Sequence, residues 1–310
     1  MKKQQGIVLI AVLVAMGVLL SLSANYVLNV NRETEAIDVV STRVQARYSA
    51  YSGVNYAMYA MQDSDAEVRW KPDGRLYQAT FSGGEVFVRI VSEAGRVDIN
   101  QADQGLLTLL FVYAGLEEVD AEQLADNVMH WRGAGDVPVG SSVSDADYLQ
   151  ADLPLPKHRR FLFTEELAQV YGVSPATYRQ IKPLITVYGG RKIDAMAAPD
   201  AVLAMLGLDE AAIAEVHALR EAQHNDEVIA VESTELFGSY LAFGVRSRHY
   251  RVLSYAITPD GQSESVYAVM QARPDRNGAF QILVRGLLDA ESKQGLIAAA
   301  EQRQQELVAE

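Results

Sequence analysis

From Ile7 to Leu22 the chain is apolar at almost every position, and no residue between Gln4 and Asn31 carries a charge. A run of that length matches the roughly 20 residues a helix needs to cross a bilayer. Beyond it, apolar positions recur at Ile37, Val40, Val44, Tyr48, Tyr51, Val54, Met58 and Met61, close to the helical period. Arg32, Glu33, Glu35, Asp38, Arg43 and Arg47 occupy the other faces. The pattern predicts one long helix, membrane-spanning in its first half and amphipathic in its second. Asp63-Ser64-Asp65 and Lys71-Pro72-Asp73-Gly74 close it.

The period then falls to two. Leu76 to Phe81 and Glu85 to Ser92 read as strands joined by a turn at Ser82-Gly83-Gly84. Strand patterns return at Tyr250 to Ile257, Ser265 to Met270 and Phe280 to Val284, with turns at Pro259-Asp260-Gly261 and Pro274 to Gly278. Residues 100–243 between them read as almost entirely helical. Strands, a helical block and more strands predict an α+β fold with a large all-helical insertion in one domain. Residues 289–310, rich in Gln, Glu and Ala, form a polar terminal helix or a frayed tail.

Inside the block a pattern repeats at Val112-Tyr113-Ala114-Gly115-Leu116, Val170-Tyr171-Gly172-Val173 and Met205-Leu206-Gly207-Leu208. In each, Gly supplies a tight turn between helices. These units are helix-hairpin-helix-like. Such hairpins either present backbone N–H groups to nucleic-acid phosphates or serve as scaffold. Between Asp103 and Glu235 acidic residues outnumber basic ones more than two to one, which opposes phosphate and favours scaffold.

The formal charge of −13 argues against nucleic acid and anionic lipid as partners of the soluble body. Cysteine is absent, so stability rests on packing, with or without a metal ion. Fifteen Tyr against two Trp fits partner-facing surfaces better than an enzyme core. No nucleophile elbow, zinc-protease motif or phosphate loop occurs, and His130, His158, His217, His224 and His249 are scattered along the chain. Lys157-His158-Arg159-Arg160 is a basic island in an acidic body. No catalytic constellation emerges, and the chain is not expected to be an enzyme.

Lys2 and Lys3 flank the apolar run and place the N-terminus in the cytoplasm with the body outside. Three accounts of this start remain open on residues alone: a secretory signal cut near Ser21 to Asn25, a plain anchor, or processing between Gly6 and Ile7. The basic leader ending in Gly resembles the prepilin class, the type IV pilins and type II secretion pseudopilins.

Five further segments, in order, sharpen that resemblance: Gly95 to Ala102 with Leu106 to Leu110; Leu124 to Arg132; Phe163 to Val173; Tyr178 to Val187; and Ile193 to Leu206. Together they resemble the type II secretion minor pseudopilin K family, over Met1 to about Tyr250. The resemblance implies a pilin-like long N-terminal helix on a small antiparallel sheet. It divides the chain into a leader (1–6), a transmembrane half-helix (7–28), a pilin-like domain (29–99 and 244–288), the helical insertion (100–243) and the tail (289–310). It implies cleavage and N-methylation at Gly6-Ile7 by a prepilin peptidase, an inner-membrane anchor in lipid with a periplasmic body, and assembly with minor pseudopilins I and J, with H as a further candidate. Ala11 stands where most of the class carries Glu, which fits a subunit capping the pseudopilus tip and helping initiate its assembly for protein export. The family's calcium-associated loop maps onto Asp136, Asp145 and Asp147, although His130 and Gly133 stand where it usually has Asp. A membrane-tethered periplasmic DNA-binding protein is the alternative.

Overall fold

In the computed structural model, described over residues 5–133, 143–224, 239–273 and 279–309, the chain opens with a single helix, α1 (Gln5–Ala60). Its 56 residues extend about 84 Å. Then come β1 (Asp73–Phe81) and β2 (Gly84–Ser92), a hairpin around Gly83. After a helical body the chain returns as β7 (His249–Ile257), β8 (Ser263–Arg273) and β9 (Ala279–Leu287), and ends in α8 (Ala290–Ala309). The sheet has the order β1-β2-β7-β8-β9 and is antiparallel throughout. β2 and β7 lie side by side, Ser92 opposite Tyr250, so the body leaves and re-enters at one end of the sheet.

One face of the sheet packs on α1. Ala50, Val54 and Ala57 meet Val86, Val88, Ile90, Val252, Ala256, Val266, Ala268 and Met270 in a buried core. The helix face chosen is made of small residues. Ala46, Ala50, Ala57 and Ala60 are buried, whereas Val40, Val44 and Tyr48, which the period also marked as apolar, are exposed. The expected stripe is thereby corrected: close approach selects it. A Cβ on Gly53 would stand 2.4 Å from the Ser254 hydroxyl and from a Val86 methyl, a spacing that larger residues forbid. On the opposite face, Leu296 and Ala300 of α8 bury against Phe87 and Tyr255, so the C-terminal segment is a packed helix rather than a frayed tail.

The body contains α2 (Gln104–Tyr113), α3 (Glu118–Trp131), α4 (Asp145–Gln150), α5 (Pro175–Ile181), α6 (Asp200–Met205) and α7 (Glu210–His224). It is not wholly helical, which corrects the sequence expectation. β3 (Val97–Asp98) pairs in parallel with β4 (Ile185–Thr186), and β5 (Ile193–Asp194) with β6 (Leu241–Ala242). Two-residue bridges have no periodicity to read. Residues Thr164–Gln169, before Gly172, form a 3-10 turn rather than an α-helix. A separate core fills this body, with Trp131, Tyr148, Phe111 and Leu107 fully buried. Each such side chain contributes about 1.5–3 kcal/mol.

Two parts of the body are built in one way. Asp98 accepts the backbone N–H of Asn100, and Asp194 that of Met196. A helix follows, then a left-handed glycine, Gly115 or Gly207, then a second helix. Near the end of that helix an arginine reaches back. Arg132 donates to the carbonyls of Ile99 and Ala102, and Arg220 to those of Ala195 and Ala198, all at 2.6 Å. Backbone acceptors that the bridge leaves open are thus satisfied by a fork of donors.

Candidate functional site: membrane helix, distal body and their junction

From Leu9 to Val27 every residue is exposed, including Leu13, Leu19, Leu20 and Leu22 at 60–71%. Nineteen residues at the helical rise cover about 28 Å, the thickness of a bilayer core. Among the described residues this is the one helix long and apolar enough to cross a membrane. Gly6 and Ile7 fall in its first turns, and Ala11 lies exposed within the apolar run.

Further along, α1 presents two faces. The small-residue face holds the sheet, and Arg43 pins it with a 2.5 Å ion pair to Glu264. Val39, Val40, Val44, Tyr48 and Tyr59 remain exposed on the helix surface. Scattered apolar residues are ordinary, but this set forms an uncovered strip on the same helix as the membrane-spanning run.

The direction of the sheet fixes where the body sits. A Cβ on Gly83 would stand 2.5 Å from the Ser49 hydroxyl, and Gly53 abuts Val86 and Val88. β2 therefore runs alongside α1 away from the apolar half. It ends at Ser92, next to the start of the helical body. The body thus crowns the membrane-distal end of the sheet.

A buried charge cluster joins the two. Glu93 is fully buried, accepts from Arg251 at 2.6 Å and from the Thr186 hydroxyl, and faces Arg96 at 3.9 Å. Burial raises its pKa, but the guanidiniums of Arg251 and Arg96 outweigh that and leave it below the usual carboxylate range. Thr186 belongs to β4 and Arg251 to β7, so one carboxylate ties body to sheet. Nearby, Asn100 clasps Phe161: its side chain accepts the Phe161 N–H and donates to the Phe161 carbonyl. Sequence reading missed Glu93 as a junction, because a lone Glu after a strand carries no signal of its partners.

Of the residues singled out for calcium, Asp136 lies outside the described residues. Asp145 opens α4, and Asp147 is occupied in a capping box, accepting from the Ser144 N–H and hydroxyl. Those bonds lower the Asp147 pKa. His130 and His158, scattered in sequence, meet edge to face, with ring centroids 5.0 Å apart. Burial lowers the His130 pKa, assisted by His158 and opposed by Asp145.

Residues 88–190 match the family model described as type II secretion system (T2SS), protein K. Over that segment, about a third of the chain, the sequence is similar to type II secretion protein K. The match spans β2 from Val88, the Glu93 junction and the body as far as α5 and β4. The crystal structure of the GspK-GspI-GspJ complex from the enterotoxigenic Escherichia coli type 2 secretion system contains a chain of similar fold. The likeness has a TM-score of 0.54 and 14% identity, and covers 79% of this chain and 96% of that one. No curated protein sequence matches the chain. At that identity the likeness is one of fold.

Proposed function

We propose that this chain is a type II secretion protein K and acts as the minor pseudopilin at the tip of the pseudopilus. It works by assembly rather than by chemistry and helps initiate pseudopilus formation for export of folded proteins. The observation that carries the reading is the position of the body at the membrane-distal end of the sheet, joined through Glu93. A pilin-like subunit stacks through its long helix, and a crown on the distal end leaves no room for another subunit above it.

In this account the prepilin peptidase cuts between Gly6 and Ile7, and Ile7 becomes the methylated N-terminus. Residues 7–28 hold the subunit in inner-membrane lipid, with the N-terminus cytoplasmic and the body periplasmic. The uncovered strip of Val39, Val40, Val44 and Tyr48 meets the helices of minor pseudopilins I and J, with H below them. The complex of GspK, GspI and GspJ that contains a chain of similar fold supports that choice of partners. Ala11 fits a tip position: a Glu there would need a neighbouring amine to offset its burial in lipid. The alternative, DNA binding through the glycine turns, is disfavoured by Glu118, Asp120 and Glu210 in the helix turns that follow Gly115 and Gly207.

Two measurements test this. Mass spectrometry of the chain co-expressed with a prepilin peptidase should find N-methylated Ile7 at the start, and an intact Met1 would defeat the processing step. A chain lacking residues 103–243 should fail to restore secretion in a strain without the subunit. Normal secretion with that chain would refute the capping role.

A further inference from the structure

We infer that His130, Asp145 and His158 form a binding site for a transition-metal cation of the zinc class. The three side chains come from separate places: the last turn of α3, the first residue of α4 and the connection that follows α4. Each offers one ligand atom, and the three atoms lie within 4.8 Å of one another. A tetrahedral zinc ion needs donors separated by about 3.3–3.5 Å, which modest side-chain rotations reach. The Nε2 atom of His130 is buried and has no hydrogen-bond partner among the described residues. A buried imidazole nitrogen without a partner, on a ring that meets a second histidine edge to face, is a donor awaiting an acceptor of electron pairs.

The backbone is shaped to bring these groups together. His158 has φ 47°, a left-handed conformation that a non-glycine residue seldom adopts. Its carbonyl packs directly on Gly133, where a Cβ would stand 2.7 Å from that oxygen. Gly133 itself has φ 71°, and it follows His130 by less than one helical turn. A strained residue seated on a glycine notch beside His130 is costly by about 1–3 kcal/mol and needs a compensating role. Metal ligation supplies one. The neighbouring Lys157 is held by Glu166 at 2.9 Å.

The donor set decides the class of ion. Two imidazole nitrogens and one carboxylate suit zinc, cobalt, nickel or copper. Calcium takes six to eight oxygens, and this trio supplies one carboxylate. Three protein ligands leave the fourth position to water. The bound ion would tie positions 130, 145 and 158 together and so lock the end of α3 to α4. This site stands whether or not the subunit occupies the pseudopilus tip.

The experiment uses the full chain in detergent, stripped with chelator and titrated with zinc chloride. Cobalt chloride serves as a spectroscopic probe, and calcium chloride as competitor. The expected result is one zinc per chain bound at micromolar concentration or tighter, unaffected by millimolar calcium. Visible cobalt absorption should show nitrogen ligation. The midpoint of thermal unfolding should rise by roughly 5–10 °C at about a hundredfold excess over Kd. His130→Gln and His158→Asn should each weaken zinc by at least the roughly 10- to 100-fold that loss of an outer partner costs. Asn tolerates the left-handed backbone of position 158, which is exposed, so that variant decides the matter even if His130→Gln does not fold. Absence of micromolar zinc binding, zinc binding equal in wild type and His158→Asn, or displacement of the zinc by calcium would each overturn the assignment.

Discussion

Replacing Asp98 with Asn should stabilise the protein, and only above mildly acidic pH. Asp98 is 2% exposed. Its Oδ1 accepts the Asn100 N–H at 2.8 Å, a bond that an amide oxygen can also accept. Burial pushes its pKa up to about 6, against the pull of the Asn100 N–H, Arg160 and Arg132. A carboxyl whose folded pKa lies above its unfolded value near 4 is at its best protonated. Its contribution is fully present below about pH 4 and is lost as pH rises through about 6. Two units correspond to about 3 kcal/mol between the two ends of that window. The substituted amide is neutral throughout and similar in shape to the carboxyl it replaces. Asp98→Asn should therefore match wild type near pH 4 and exceed it by up to about 3 kcal/mol near pH 8. Urea unfolding of the detergent-solubilised full chain in chelator, followed by the fluorescence of the buried Trp131, gives both curves. The difference between them isolates the one group. A variant equally stable relative to wild type at both ends, or less stable near pH 8, would show that Asp98 is held as a stabilised anion and that the reasoning is wrong.

Other perturbations follow from the same geometry. Glu93→Gln leaves the Arg251 and Arg96 guanidiniums facing a neutral amide in a buried junction. It should cost about 3–5 kcal/mol in a chemical melt, because an unpaired buried charge is left behind. Since the Glu93 pKa is depressed, that cost should shrink as pH falls below about 4 and the wild-type carboxyl protonates. Gly53→Ala should lower stability by about 1–3 kcal/mol through overpacking against Ser254 and Val86, despite the helix propensity that Ala adds; a raised melting temperature would contradict the close approach of α1 to the sheet. Arg132→Ala and Arg220→Ala should destabilise by similar amounts, about 1–3 kcal/mol each from the carbonyls left open, and unequal losses would deny that the two units are built alike.

The long helix, the Ser82–Gly84 hairpin and the three returning strands were legible because each has its own period or turn residue. The glycine turns at Gly115, Gly172 and Gly207 were legible too, since all three are left-handed and a side chain there is strained. What stayed hidden is what depends on partners distant in sequence. The period of α1 marked Val40, Val44 and Tyr48 as apolar, and only the closeness of Val86 selects the alanine face instead. Glu93 finds Arg251 and Thr186 across the whole inserted body. His130 and His158 read as scattered because the notch at Gly133 brings them together.

The deeper instance is the pair of units built on Asp98 and Asp194. Val97-Asp98-Ile99-Asn100-Gln101-Ala102 and Ile193-Asp194-Ala195-Met196-Ala197-Ala198 share few identities. Each nonetheless sets a buried aspartate as the second residue of a two-residue bridge, where burial raises its pKa. Each places an arginine at the end of the next hairpin to fill two carbonyls. The hydrophobic pattern marks the hairpins, whereas the demand that every buried backbone group be satisfied explains the Asp and the Arg. That demand acts on the backbone and constrains few side chains. The resemblance between the units is therefore plain in hydrogen bonds and faint in sequence, and the same arrangement braces the body at two places in one way.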